Sequence, residues 1–270
     1  MSALVDRLLE IAAEASLVVR EVYETPFSVD WKGKDDPVTA ADRRANELIC
    51  RRIAETWPGV PIVAEESEPE TFAGFQTKER VFFVDPLDGT AEFIARNGEF
   101  VVMIGMVEGD RAIAGVVTAP ATGEAWAGSV GDGAFHVNAA GARQKIRVSA
   151  ETRIERARGV ASRSHRSPAL ELALRDLALG SVGAVGSAGL KGAEIAMGRA
   201  DVYFGPGKVG KLWDACAVDA IVTAAGGKFS DGRGAPFDYR AGSLDNVRGL
   251  VATNGPLHDV VVSCLARLGL

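Results

Sequence analysis

Leu4, Leu8, Ile11, Ala15, Val18 and Val22 recur at steps of three and four. The spacing predicts an amphipathic helix over 3–23, ended by Pro26. Trp31-Lys32-Gly33-Lys34-Asp35-Asp36-Pro37 breaks that pattern and reads as a polar loop with turn residues at Gly33 and Pro37. A second helix is predicted from Thr39, carrying Leu48, Ile49 and Ile53 inward until Pro58-Gly59. The period then shortens. Residues 60–64 form a short apolar strand, 68–79 a surface loop and 81–84 a buried central strand. Strands at 100–107 and 112–119 meet at the Glu108-Gly109-Asp110 turn, and shorter ones near 124–126 and 134–137 continue an antiparallel meander.

Beyond the polar stretch 147–152, strands and helices alternate. Strands are expected at 157–161, 182–185, 201–204 and 249–252, and helices at 168–178, 189–197, 214–225 and 256–267. This predicts two lobes: an N-terminal α+β lobe over 1–150, and an α/β lobe with a mixed or parallel sheet over 151–270. At 270 residues each lobe can hold its own core. No internal repeat is visible, which argues against a solenoid.

Charge and cysteine usage exclude several classes. A formal net charge of -6 disfavours binding to a nucleic-acid polymer. It permits a small anionic substrate, because bound divalent ions reverse the local field. Cys50, Cys216 and Cys264 are scattered without metal-ligand spacing, as buried thiols in a reducing compartment would be. Charged residues among the first 24, and no apolar run near the roughly 20 residues of a membrane span, predict a cytoplasmic protein with no membrane partner.

Five acids stand at the ends of predicted elements. Asp42 lies in the first turn of the second helix, Glu65 follows the 60–64 strand, and Asp214 opens the 214–225 helix. Asp85 and Asp88 follow the central strand in Asp85-Pro86-Leu87-Asp88-Gly89-Thr90. Each also has a local explanation: Thr39 with Asp42 fits a capping box, Asp214 an N-cap, Glu65-Glu66 a solvated loop start, and Asp85–Gly89 a turn. Together they suit hard divalent cations with oxygen ligands, Mg²⁺ above all, and N–H groups after Asp88 suit an anion.

With Glu65-Glu66 and Trp213-Asp214-Ala215 in order around that motif, the chain resembles the lithium-sensitive, Mg²⁺-dependent phosphatase superfamily of inositol monophosphatases, from about Asp6 to the C-terminus. Residues 88–100, Pro37-Val38-Thr39-Ala40-Ala41-Asp42 and Ser162-Arg163-Ser164-His165 look most like its 3′(2′),5′-bisphosphate nucleotidase branch. That branch removes the 3′-phosphate of 3′-phosphoadenosine 5′-phosphate. The resemblance implies a layered α-β-α-β-α sandwich, a small phosphorylated substrate, and two or three Mg²⁺ ions, in a family that often forms homodimers.

It further implies Glu65, Asp85, Asp88, Asp214 and the Leu87 carbonyl as metal ligands. Asp42, Glu65 and Thr90 would be catalytic, with Asp42 and Thr90 orienting and deprotonating the attacking water. Asp88, Gly89, Thr90, His165, Lys191 and Asp214 would face the substrate. Three positions depart from the nucleotidase pattern. Ala91 replaces a usual Lys, the Ser187–Lys191 spacing is one residue longer, and no Arg follows Tyr203, where Lys208 and Lys211 are the nearest replacement cations. An inositol, sugar or histidinol phosphate is therefore the alternative substrate. A catalytically silent metal- and phosphate-binding regulator is the alternative of another class.

Overall fold

The structure, a computed structural model, describes residues 2–33 and 36–270. Helix α1 (Ala3–Tyr23) is N-capped by Ser2 and buries Val5, Leu8, Ile11, Ala12, Ala15, Val19 and Val22. Val19 rather than Val18 faces inward, because the helix presents rows at 3.6-residue spacing. The expected 31–37 loop is corrected. β1 (Val29–Gly33) and β2 (Asp36–Thr39) pair antiparallel, and Lys34 and Asp35 lie outside the described residues. Trp31 is 63% exposed, and β1 lacks the buried alternation by which strands are read. Thr39 caps α2 (Ala40–Thr56), and the capping box with Asp42 forms.

A seven-stranded sheet follows. Its members are β3 (Ile62–Ala64), β4 (Arg80–Asp88), β5 (Val101–Glu108), β6 (Arg111–Ala119), β7 (Glu124–Ser129), β8 (Gly133–Val137) and β9 (Arg143–Ile146). β3 runs parallel to β4 and the rest form an antiparallel meander. The 68–79 stretch is not only a surface loop. Two short 3₁₀ turns there bury Phe72 and Phe75, and the Phe75 ring meets both Phe72 and Phe83 edge-on. After β4 comes the short helix α3 (Thr90–Ile94).

The second half alternates β10 (Arg158–Ser162), α4 (Pro168–Leu177), β11 (Ser181–Val185), α5 (Ala188–Ala196), β12 (Val202–Gly205) and α6 (Leu212–Ala224). β13 (Lys228–Ser230), β14 (Leu250–Thr253) and α7 (His258–Leu268) close the chain. The five-stranded sheet has order β11-β10-β12-β14-β13, with parallel pairs at β10 and antiparallel pairs at β14. Alternate residues of β4 face opposite layers. Phe82 and Val84 pack with α1 and α2, whereas Val81 and Phe83 pack with α5 and α6 residues and the second sheet. Ala161, Val202 and Val251 face α4 and α7 on the far side. The result is the α-β-α-β-α sandwich.

Helix α6, the middle layer, is buried on nearly every side, including Trp213, Cys216, Ala217, Ala220 and Ile221. Gly105, Gly115 and Gly128 stand opposite one another in β5, β6 and β7 and cut a groove for it. A Cβ on Gly105 would come within 2.5 Å of Cys216 Sγ, and one on Gly115 within 2.5 Å of the Ala217 carbonyl oxygen. A Cβ on Gly128 would lie 2.9 Å from that of Ala224. This close approach fixes where the N-terminus of α6 meets the end of β4.

His258, at the start of α7, lies buried between Ser230 Oγ at 2.8 Å and Thr253 Oγ1 at 3.1 Å. Burial, aided by the charge of Lys228, lowers its pKa to about 4. Between pH 6.5 and 4 the unfolded chain thus binds a proton that the native one does not, so this group's contribution to stability falls as pH falls. Tm measured across that window for wild type and H258Q should diverge, with the variant showing the flatter curve. Parallel curves would show that His258 does not titrate this way.

Candidate active site

The Asp85–Asp88 turn is a bulge. β4 and β5 keep register to the Asp85–Met103 pair and resume at Asp88–Val101, so the β4 segment carries one extra residue. In an unbroken strand, positions three apart would face opposite sides; the bulge re-aims the two carboxylates onto one side. Pro86 is tolerated because a bulge needs no ladder N–H there. The Leu87 N–H donates to Asp85 Oδ1 at 2.9 Å and stiffens the turn. Gly89 follows at φ 96°, where a Cβ would sit 3.0 Å from the Glu99 carbonyl oxygen, so only glycine fits.

Three elements bring other acids to this turn. Asp214 rides in the first turn of α6, its Oδ2 accepting the Lys211 N–H at 2.6 Å. Carboxylate oxygens of Asp85, Asp88 and Asp214 lie within 4.8 Å of one another. The Glu65 N–H donates to the Val84 carbonyl at 3.1 Å, which places Glu65 beside Asp85. Asp88 Oδ2 accepts the Gly189 N–H at 2.9 Å, from the first turn of α5. Asp42 is buried, with Oδ2 held by the Thr39 N–H and hydroxyl at 2.8 and 2.7 Å. Its Oδ1 accepts the Thr90 hydroxyl at 3.2 Å, and the same hydroxyl lies 3.2 Å from the Leu87 carbonyl.

The electrostatics are those of a cluster wanting positive charge. Burial first, then repulsion from Asp88 and Glu65, raises the Asp214 pKa to about 7. Burial raises Asp85 well above the carboxylate range, with Glu65, Asp88 and Asp214 adding to it. Asp88 and Asp42 are also raised, chiefly by burial. Glu65 is raised by burial too, against the opposing charges of Lys32 and Lys211. Buried carboxylates this close are compensated by cations or by protons. The donor set, carboxylates with a nearby backbone carbonyl, fits a hard divalent ion.

The expected substrate residues divide. Gly89 and Thr90 adjoin the acids. His165 is exposed on the turn after β10, its N–H donating to Ser162 Oγ at 3.0 Å. Lys191, in α5, turns its ammonium onto backbone rather than solvent. It is 4% exposed, and its ammonium donates to the Gly186 and Ser187 carbonyls at 2.6 and 2.7 Å while lying over the Tyr203 ring. Burial lowers its pKa against the pull of Asp88, Glu92, Asp214 and Glu99. Lys208 pairs with Asp245 at 2.7 Å on the surface, whereas Lys211 lies over Trp213 and acts on Glu65.

Sequence reasoning missed Lys32. From β1 it reaches Glu65 Oε1 at 3.1 Å and Glu66 Oε1 at 2.6 Å. Burial alone would lower its pKa, but the two carboxylates hold it above the ordinary lysine value. No periodic signal marks it, because β1 has no buried face.

The inositol monophosphatase family model matches residues 2–265. The 3′(2′),5′-bisphosphate nucleotidase CysQ of Escherichia coli (strain K12) is 35% identical over 243 residues, 87% of this chain and 94% of that one. Inositol monophosphatase 2 of Solanum lycopersicum is 30% identical over 276 residues, 98% of each chain. Among solved structures, CysQ from Bacteroides thetaiotaomicron superposes with a TM-score of 0.78 at 29% identity, covering 93% of this chain and 97% of that one.

Proposed function

Because the chain belongs to the inositol monophosphatase family and is a phosphoric monoester hydrolase, we propose that it is Mg²⁺-dependent and removes the 3′-phosphate of 3′-phosphoadenosine 5′-phosphate. The observation that carries the metal reading is the convergence of Asp85, Asp88 and Asp214. The nucleotide reading is supported by the 35% identity to a bisphosphate nucleotidase and by residues 88–100.

Asp85, Asp88, Asp214, Glu65 and the Leu87 carbonyl would hold the ions, which when bound supply Lewis acidity at the phosphoryl oxygens and a more acidic water. The chain's own residues do the rest. The N–H groups of Gly89 and Thr90 lie where the turn opens a helix, and bind phosphate oxygens. Asp42 has one oxygen tied to Thr39, so its other oxygen faces Thr90 alone among these contacts. Thr90, donating to Asp42, can accept a hydrogen bond from water; the proton passes from water through Thr90 to Asp42 as oxygen bonds to phosphorus. The ester P–O bond then breaks, the leaving oxygen takes a proton from solvent water to give the alcohol, and Asp42 returns its proton to solvent as inorganic phosphate departs. Burial holds the Asp42 pKa above that of an ordinary carboxylate, which strengthens it as a proton acceptor.

This relay predicts that T90S keeps kcat within about tenfold, whereas T90A loses about 10²–10⁴-fold, the usual worth of a positioned proton path. Equal activity of the two variants would remove the hydroxyl from the mechanism.

A second reading, hydrolysis of an inositol or sugar phosphate, is favoured by Phe204 standing where an Arg is expected and by Lys208 pairing with Asp245. Phosphate release in Mg²⁺, with and without Li⁺, separates the two. The nucleotide reading predicts a higher kcat/KM for 3′-phosphoadenosine 5′-phosphate than for myo-inositol 1-phosphate, and the reverse order would establish the second.

A further inference from the structure

Glu92 makes contacts that the reaction above leaves unexplained. It sits two residues beyond Thr90 in α3, and it is 3% exposed. Its Oε1 accepts the Ser164 hydroxyl at 2.5 Å, on the turn after β10 that also carries His165. Its other side abuts Gly186, between β11 and α5. A Cβ added there would come within 2.6 Å of Glu92 Cγ and 2.7 Å of Glu99 Cβ. The Gly186 carbonyl in turn accepts the Lys191 ammonium, whose charged form Glu92 favours.

One side chain, rooted on the turn of Asp88, Gly89 and Thr90, thus touches both loops that approach that turn from the second sheet. Glu99 and Arg163 repeat the link nearer the surface. Arg163 Nε and Nη2 meet the two Glu99 carboxylate oxygens at 2.7 and 2.6 Å, and Nη2 also donates to the Ala184 carbonyl at 2.8 Å. The outer pair is solvated and contributes little. The inner contact has the larger consequence, since a buried carboxylate without a partner is unfavourable.

We propose that Glu92 is a positioning residue for substrate selection: it seats the 162–166 and 185–188 loops against the Asp88–Thr90 turn, so that the group beyond the scissile phosphate meets preset walls. Small displacements of such walls weaken recognition of a bulky leaving group more than they alter the reacting centre. The inference rests on the phosphomonoesterase reading, and not on which alcohol leaves.

Steady-state kinetics in Mg²⁺ test it on wild type, E92Q, E92A, S164A and E92A/S164A, each with a thermal melt. The substrates are p-nitrophenyl phosphate and whichever bulky ester wild type hydrolyses, 3′-phosphoadenosine 5′-phosphate or myo-inositol 1-phosphate. In E92A the ratio of kcat/KM for the bulky ester to that for p-nitrophenyl phosphate should fall about tenfold, mainly through KM of the bulky ester. E92Q keeps an oxygen for Ser164 and should return to within about threefold of wild type, and the double variant should be no worse than E92A. If E92A fails to fold, S164A carries the test, with a ratio lowered at least about threefold. An unchanged ratio, an equal loss on both esters, or additive effects would overturn the proposal. A wild type inactive on every ester would instead overturn the phosphatase reading.

Discussion

Replacing Asp88 with Asn is expected to lower kcat/KM for any phosphomonoester by about a thousandfold or more, without lowering the Tm of protein stripped with EDTA. A thousandfold is roughly 4 kcal/mol of transition-state stabilisation, within what a bound cation supplies. The amide is the same size, and its oxygen can still accept the Gly189 N–H that now reaches Asp88 at 2.9 Å. What disappears is one charge from a buried cluster in which Asp85 and Asp214 already repel it. Stability and activity should therefore part company: no loss of Tm, a near-total loss of turnover. Wild-type-like turnover would refute the assignment of the site.

Gly115→Val is expected to be strongly damaging although it touches none of the acids. Its Cβ would meet the Ala217 carbonyl oxygen at 2.5 Å and the Ala217 Cα at 2.8 Å, and helix backbone cannot rotate aside as a side chain can. Overpacking of this kind costs about 3 kcal/mol or more, which lowers Tm by roughly 6–12 °C in a chain of this size. Activity should fall further than stability does, because Asp214 is carried by the same helix. Gly242→Ala is the control, with nothing within 4 Å of the added atom. Equal melts for the two variants would show that α6 is not seated by the glycine row.

The order of helices and strands was largely legible, since α1, α2 and the β4–β6 meander each carry an undisguised period. The five-layer stacking came from the family resemblance, and the contacts behind it were less visible. The 3.6-residue period of α6 is masked by burial on nearly every side, so the pattern alone does not show what the helix carrying Asp214 packs against. The row of Gly105, Gly115 and Gly128 has no meaning until three registers align them. The β1–β2 hairpin hides because β1 has no buried face, and with it Lys32, the cation that sits against Glu65. Phe72 and Phe75 were lost in a polar stretch whose 3₁₀ turns bury both. Lys191 matched a substrate-facing position by sequence, yet the turn at Gly186 and Ser187 draws its ammonium onto carbonyl oxygens.

Acids were easier to find than their supports. Asp85 and Asp88 flank a proline, and a proline inside an apolar strand already signals a bulge. Asp42 and Asp214 answer equally to helix capping and to chemistry, and the structure has them doing the first: both accept N-cap N–H groups. The two roles coexist because a carboxylate has two oxygens. For Asp42, capping takes Oδ2 and leaves Oδ1 toward Thr90.

The convergence of these acids on divalent cations is tested most directly by calorimetric titration of Mg²⁺ into EDTA-stripped protein, repeated on D88N and D214N. Saturable binding by wild type, lost or weakened at least about tenfold in both variants, is the predicted result. Wild-type-like Mg²⁺ affinity in D214N, or no binding by wild type, would contradict it.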